Sequence, residues 1–431
     1  MKNGIKFLGI FLISILLSFL ICFFTSKDGK YIKSEEFNEE LILKGLKGAK
    51  AICSDEENNL YLAVENNIFK VDKSGNMRLE IKEEGRILDL EYYEGKLYYS
   101  MEGKLSTHDL VSKEGKIFIE NIPNKGVNGL DTKILLREGI LYLTIGSSTN
   151  SGIVDFEEGI EDVPPLDIIL NGRNYDDNKK GAFVPFNTKT FKGQKIKGNI
   201  LGNASVIEVD LKKNEKNIYS YGLRNVKGID YNSEGKIFAV IGGIEESGYR
   251  PLSGDTDYLY ELKGEKTWYG WPDYSGGDPV NSPKFREEGK PKVNFITDEH
   301  KSYIMPKPIY QNTKVGAMNS LTIDREGEFG NKDSFIFFDD KEKALIKLLK
   351  EGEKKEIAFL EGEAYIDDIK IIGGDLYIID GNEGVLFKLS SNYKKSELQV
   401  KSYIFLILIN SILIAILITK FFLNLRIRRF K

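Results

Sequence analysis

Three short clusters carry the side chains best suited to chemistry. Gly222-Leu223-Arg224-Asn225 sets a permanently charged guanidinium, with five donors, beside an amide that both donates and accepts. Such a pair can hold a carboxylate of a ligand, or it can lock neighbouring elements through a carboxylate of the chain itself. Gly242-Gly243, followed by Glu245-Glu246, Asp255 and Asp257, gathers the hard oxygen donors that calcium takes. Asp and Gly at this density are also ordinary turn chemistry. Trp268-Tyr269-Gly270-Trp271-Pro272 offers flat faces that can stack on a sugar or planar cofactor, or pack as the end of an insertion. The chain has two histidines. His108 reads as part of an exposed strand edge, and His300 falls in an acidic stretch. No phosphate-binding loop, nucleophile elbow, zinc-binding helix or dinucleotide fingerprint occurs.

These clusters need a scaffold that brings distant segments together, and the chain repeats itself in a way that supplies one. An apolar-aromatic-apolar strand recurs as Asn59-Leu60-Tyr61-Leu62, Lys96-Leu97-Tyr98-Tyr99, Ile140-Leu141-Tyr142-Leu143, Lys236-Ile237-Phe238-Ala239, Ser334-Phe335-Ile336-Phe337 and Asp375-Leu376-Tyr377-Ile378. Each copy follows a turn rich in Gly, Asp, Asn or Glu, and most lead into a second alternating strand. The uninterrupted spacing of about 40 residues is that of one four-stranded blade. Two intervals are much longer, Ser147–Asn203 and Glu245–Val315, and read as loop insertions on a common face rather than extra blades. The expected fold is therefore all-β, a six-bladed β-propeller; a β-sandwich does not repeat one blade-length motif. Gly228–Tyr231 and Lys236–Ile241 are expected as strands joined by the turn Asn232-Ser233-Glu234-Gly235. A ligand would sit at the mouth of the central channel, where the insertions meet.

Gly222-Leu223-Arg224-Asn225 with Tyr269-Gly270-Trp271-Pro272, at this separation, resembles the glucose/sorbosone dehydrogenase family. That family consists of six-bladed β-propellers, some of which oxidise sugars with pyrroloquinoline quinone (PQQ) and calcium. The resemblance implies that Arg224 lies at the cofactor, with Asn225, Tyr269 and Trp271 beside it. It implies that Gly242 and Gly243 turn backbone carbonyls toward calcium, with Asp257 as a further ligand. The family pattern continues there as Asp-Glu-Leu-Asn, whereas this chain has Asp257-Tyr258-Leu259-Tyr260, which removes two oxygen donors. Gly198-Asn199-Ile200-Leu201-Gly202 keeps the family's return strand. The family's histidine, which takes the hydroxyl proton as hydride leaves, falls at Asn128 or Gly129, and neither is a base. Asp131 is a carboxylate in the same neighbourhood that burial could turn into one.

The two ends differ from the middle. Phe7–Phe24 and Tyr403–Thr419 are uncharged apolar runs close to the ~20 residues that cross a bilayer. Lys2 and Lys6 resemble the start of a signal peptide, but Phe23-Phe24-Thr25-Ser26-Lys27 holds no small-x-small cleavage site, so an uncleaved signal anchor is expected. The propeller is thus expected to be flanked by an N-terminal and a C-terminal transmembrane helix. The layout is an anchor at 1–26, a stalk at 27–43, the propeller at 44–390, a linker at 391–402, the second helix at 403–425 and a basic tail at 426–431. Lys2 and Lys6 at one end, and Lys420, Arg426, Arg428, Arg429 and Lys431 at the other, place both termini in the cytoplasm. The part between them is more acidic than the whole chain, whose 61 Lys and Arg against 65 Asp and Glu give a net charge of −4. Such a domain is a poor partner for nucleic acid. Cys22 lies in the first apolar run, so Cys53 has no partner for an intramolecular disulfide, and a cysteine-built metal site is excluded.

A propeller of this kind lacking the imidazole reads first as a membrane-anchored, extracytoplasmic module that binds a carbohydrate, a cell-envelope component or a protein without turnover. The alternative is a PQQ- and calcium-dependent aldose dehydrogenase. A third reading, a lactonase-like metal hydrolase, needs a ring of Asp, Glu and Asn at the channel centre. On the dehydrogenase reading, Arg224→Ala abolishes quinone retention and leaves the melting temperature little changed.

Overall fold

The computed structural model describes residues 32–123, 132–286, 289, 292–298, 305–349 and 352–391. The apolar runs Phe7–Phe24 and Tyr403–Thr419, and the linker and tail beside the second, lie outside the described residues. Among the described residues, no helix is long and apolar enough to cross a membrane.

Six antiparallel sheets form six blades. Blade 1 is built from Ala49–Ser54, Leu60–Val64, Asn67–Val71 and Met77–Lys82; blade 2 from Ile87–Tyr93, Lys96–Met101, Lys104–Asp109 and Gly115–Glu120. Blade 3 uses Ile134–Arg137, Ile140–Ile145, Ser205–Asp210 and Glu215–Tyr221; blade 4 uses Val226–Tyr231, Ile237–Ile241, Tyr258–Leu262 and Tyr310–Gln311. Blade 5 is Met318–Asp324, Ser334–Asp339, Ala344–Leu348 and Lys354–Leu360; blade 6 begins with Ile366–Ile372, Asp375–Asp380 and Val385–Ser390. The first strand of each blade is innermost. These inner strands meet one another in order around the channel, blade 6 returning to blade 1, so the ring is closed.

The residue patterns explain the layering. Second strands such as Leu60–Val64, Ile237–Ile241 and Ser334–Asp339 are buried along their whole length, because neighbouring blades cover both faces. Outer strands such as Met77–Lys82 and Gly115–Glu120 are mostly exposed, including Met77, Leu79 and Ile117. The apolar side chains meet between blades: Tyr61 and Ile68 against Leu97 and Tyr99, Phe238 and Val240 against Phe335 and Phe337. At the closure, Leu46, Ile52 and Leu62 of blade 1 pack on Ile379 and Leu386 of blade 6. Each such side chain contributes ~1.5–3 kcal/mol on burial, so these interfaces hold the ring with no disulfide among the described residues, where Cys53 is a free thiol.

The stalk expected at 27–43 is not a stalk where it is described. Asn38–Lys44 is the outer strand of blade 6, antiparallel to Val385–Ser390 with Asn38 opposite Ser390 and Lys44 opposite Val385. Ile32–Lys33 pairs with the outer strand of blade 5. These residues look like a polar linker because an outer strand has solvent along one edge, and its burial pattern is correspondingly mixed.

Ser147–Asn203 is a true insertion between the second and third strands of blade 3, and carries the hairpin Ile168–Asn171 with Lys192–Ile196. Glu245–Val315 is not all loop. It contains the third and fourth strands of blade 4, and Thr267–Trp268 crosses over to lie parallel to Glu215–Tyr221 as a fifth strand of blade 3. The two segments share a core of Ile153, Phe183, Ile244, Leu252, Trp271 and Ile296.

Candidate functional site at the mouth of the channel

The loop from blade 3 into blade 4 positions the central residues. Gly222 sits at φ +73°, and a Cβ there would come 2.5 Å from the Trp268 ring and 2.8 Å from the Gly270 nitrogen, so only glycine fits. Two residues on, Arg224 is buried and each of its three guanidinium nitrogens donates a hydrogen bond. Nε donates to the Asn150 carbonyl (3.2 Å), Nη1 to the Gly243 carbonyl (2.7 Å) and Nη2 to Glu245 Oε1 (2.9 Å). Both sequence readings of this arginine meet here, since it ties insertions together and also lines the mouth.

A cavity of about 270 Å³ opens at this point. Four blades contribute: Lys133 from blade 3; Arg224, Asn225 and Lys227 from blade 4; Asn319 and Ser320 from blade 5; Tyr365 and Asp367 from the start of blade 6. Glu245 reaches in from the insertion, its side chain 54% exposed. Lys50 pairs with Asp367 at 2.6 Å, yet burial still raises the Asp367 carboxyl above its usual range. The walls are polar and rich in charge.

A smaller cavity of about 20 Å³ lies among Asp89, Glu91, Lys133, Asp230, Asp368 and Lys370. Glu91 of blade 2 reaches Lys370 of blade 6 at 2.6 Å, over the buried Cys53 of blade 1. Burial pushes Glu91 up to about 7 and Asp89 to about 6, the nearby lysines opposing this, and it raises the Cys53 thiol as well. Asp89 accepts the Ile134 N–H (2.7 Å), Asp230 that of Ile323 (2.8 Å) and Asp368 that of Ile52 (3.1 Å). Each carboxylate thus stitches its own inner strand to the next.

The metal candidates do come together, but not as an open site. Gly243 N–H donates to Asp257 Oδ1 at 3.1 Å. The Gly243 carbonyl, however, already accepts from Arg224. Asp257, fully buried, also accepts the N–H groups of Gly316 (3.0 Å) and Met318 (2.9 Å) and faces the Lys227 ammonium at 3.3 Å. Gly242 lies in the same turn, its N–H donating to the Asn225 carbonyl. Calcium needs about 6–8 oxygens with free lone pairs, and these residues do not fit it. Among the described residues, no group of three or more His, Cys, Asp or Glu is placed to hold a metal.

Tyr269 and Trp271 are not on the wall of this cavity. The Tyr269 hydroxyl donates to the Glu261 carbonyl and accepts from the Lys263 N–H, with its ring edge-on to Tyr260. Trp271 donates from Nε1 to the Asn150 carbonyl and packs edge-on against Phe183. With Trp268 and Pro272, Trp271 borders a separate apolar slot of about 120 Å³. His108 is buried in the third strand of blade 2, not on an exposed edge, and its Nε2 has no hydrogen-bond partner. Burial holds its pKa below the usual histidine value. Asn128, Gly129, Asp131 and His300 lie outside the described residues.

Sequence reasoning missed Asn150, the hub of the mouth. Its carbonyl takes two donors, and its side chain pins the backbone of Glu245 from both sides, accepting from its N–H and donating to its C=O, each at 2.8 Å. It also missed Lys133, Lys227 and Asp162. Asp162 is buried behind Arg224, accepting from Ser148 N–H and the Thr149 hydroxyl, and burial raises it to about 7. Lys227, three residues after Arg224 in the motif loop, was the one with a readable signal.

No family model matches this chain, and no curated protein matches it. Solved structures do. The holo form of the PQQ domain of pyranose dehydrogenase from Coprinopsis cinerea is similar with a TM-score of 0.57 at 13% identity, over 84% of this chain and 97% of that one. A Trichoderma reesei carbohydrate-active enzyme of family AA12 gives 0.59 at 12% identity, over 84% and 98%. The PQQ-bound aldose sugar dehydrogenase of Streptomyces coelicolor gives 0.53 at 14% identity, over 83% and 97%. The chain therefore has the six-bladed fold of the PQQ-dependent sugar dehydrogenase-like propellers. At these identities the likeness is one of fold.

Proposed function

We propose that this chain is a membrane-anchored, extracytoplasmic β-propeller that binds a small polar ligand, a carbohydrate or a cell-envelope component, in the mouth of its channel without calcium and without turnover. The observation that carries this reading is the state of the would-be metal donors: the Gly243 carbonyl and Asp257 are both taken by groups of the chain itself. The cavity beside them presents amides, hydroxyls and charges of both signs, the means by which a sugar or sugar acid is held. The apolar runs at the ends support the anchoring, and the basic residues beyond them support the orientation.

The second reading, a PQQ-dependent sugar dehydrogenase, is favoured by the same cations, by the PQQ-bound form of one similar structure and by the holo PQQ domain of another. A quinone in this mouth would meet Arg224, Lys227, Lys133 and Asn225, and would supply the acceptor for hydride from a sugar. One experiment separates the two. The full chain, purified in detergent, is titrated with neutral sugars and sugar acids in EDTA, then loaded with PQQ and calcium and assayed for dye reduction with a panel of aldoses. Saturable sugar binding in EDTA with no dye reduction is expected. Quinone absorbance that survives gel filtration, with turnover of an aldose, would reject the binding-module reading.

A further inference from the structure

We infer that two side chains of this protein, Arg224 and Lys227, stand where a calcium ion would act, so that the turn from Gly242 to Asp257 is held by the chain's own cations. The inference rests on the reading of the mouth proposed above. Its starting point is Asp257, a fully buried carboxylate that needs a compensating positive charge. A calcium ion would bring two charges and gather about 6–8 oxygens around itself. Here the same two charges arrive on tethers. The Lys227 ammonium faces Asp257 Oδ2 at 3.3 Å, and Arg224 Nη1 reaches the Gly243 carbonyl at 2.7 Å. The remaining lone pairs of Asp257 meet backbone N–H groups of Gly243, Gly316 and Met318, which span the junction of blades 4 and 5.

The glycine pair acquires a different meaning on this geometry. A Cβ at Gly242 would come 3.1 Å from Lys227 Cε and 3.7 Å from Arg224 Nη1, so glycine here clears the way for both cations. At Gly243 a Cβ would come 2.1 Å from the Thr256 carbonyl oxygen, which keeps the turn pressed against the start of the third strand. The residues that follow Asp257 add no oxygen donors toward the mouth: the Tyr258 and Tyr260 rings are buried in the core between blades 3 and 4.

A calcium titration of the full chain in detergent, with no other ligand present, tests the inference. Wild type is expected to show no saturable heat with calcium chloride and the same melting midpoint in calcium as in EDTA. Lys227→Ala leaves Asp257 without its counter-charge. Its midpoint should fall in EDTA and stay down in calcium, because Arg224 still holds the Gly243 carbonyl and backbone N–H groups still hold Asp257, and the fall should shrink in the Lys227→Ala/Asp257→Asn double variant. Lys227→Met keeps the packing of the stem and removes only the charge, and should show the same fall where alanine impairs folding. Saturable calcium binding by wild type that Asp257→Asn abolishes would overturn the inference. So would a folded Lys227 variant whose midpoint equals that of wild type. Failure of every sugar to bind in EDTA would sink the ligand reading and leave these calcium outcomes readable.

Discussion

Arg224 is held by three acceptors that diverge from one another, and this changes what its removal should do. Arg224→Ala leaves the Asn150 and Gly243 carbonyls short of a donor in a buried setting and frees the insertions they belong to. An unsatisfied buried acceptor costs about 1–3 kcal/mol, so a clear drop in melting temperature is expected, measurable by calorimetry. The milder outcome expected from sequence assumed an arginine that only faces a ligand. Glu245 is the opposite case. Its carboxylate is 54% exposed and makes a single ion pair with Arg224, a contact worth about 0–1 kcal/mol at the surface. Glu245→Gln should leave the melting temperature almost unchanged. It should tighten the binding of sugar acids relative to neutral sugars, because it removes a negative charge that competes for Arg224; parallel titrations with glucuronate and glucose check this.

At the scale of elements, the mouth depends on two insertions staying together, and a buried pair does this. Arg250 and Asp273 are essentially inaccessible and meet at 2.8 Å. Arg250 also donates to the carbonyls of Ser151, Pro272 and Asn294, and Asp273 accepts the N–H groups of Ile296 and Thr297. One guanidinium and one carboxylate thereby join four chain segments that are remote in sequence. Arg250→Met strands the Asp273 charge, at a cost of about 3–5 kcal/mol. The loss should be local. Hydrogen exchange should rise in 147–203 and 268–298 while the inner strands of blades 1, 2, 5 and 6 stay protected, and ligand binding at the mouth should weaken with it.

For the whole molecule, the ring is closed by its own N-terminal strand and stitched through the channel by Asp89, Asp230 and Asp368. Burial raises Glu91 to about 7 and Asp89 to about 6 in the folded state, above the values both have when unfolded. The folded state therefore binds more protons between about pH 4 and pH 7, and the stability these groups add is present at low pH and lost as pH rises through their folded values. Carboxylates held low by turn hydrogen bonds, such as Asp72 and Asp109, act in the opposite direction. Comparison with a variant isolates the channel. The midpoint difference between wild type and Glu91→Gln should move against wild type as pH is raised from about 5 to about 8, on top of a constant offset from the altered Lys370 pairing. A difference that stays flat across that range would show that Glu91 is ionised throughout.

The sequence by itself determined the six-fold repeat, the burial of its apolar-aromatic strands and the importance of the loop Gly222–Asn225. The first two are written in a period of two, which is local, and the third in the Gly-Leu-Arg-Asn pattern itself, whose glycine the distant Trp268 ring requires only once the chain is folded. Only the tertiary structure decided that Asn38–Lys44 closes blade 6, that His108 is buried, that Trp271 packs on an insertion and that Asp257 faces a lysine. Those facts depend on which atoms meet across the ring. Asn150 and Arg224 stand 74 residues apart, and nothing in the spacing of either marks the other, because the contact exists only once the blades have closed and carried their insertions to one rim.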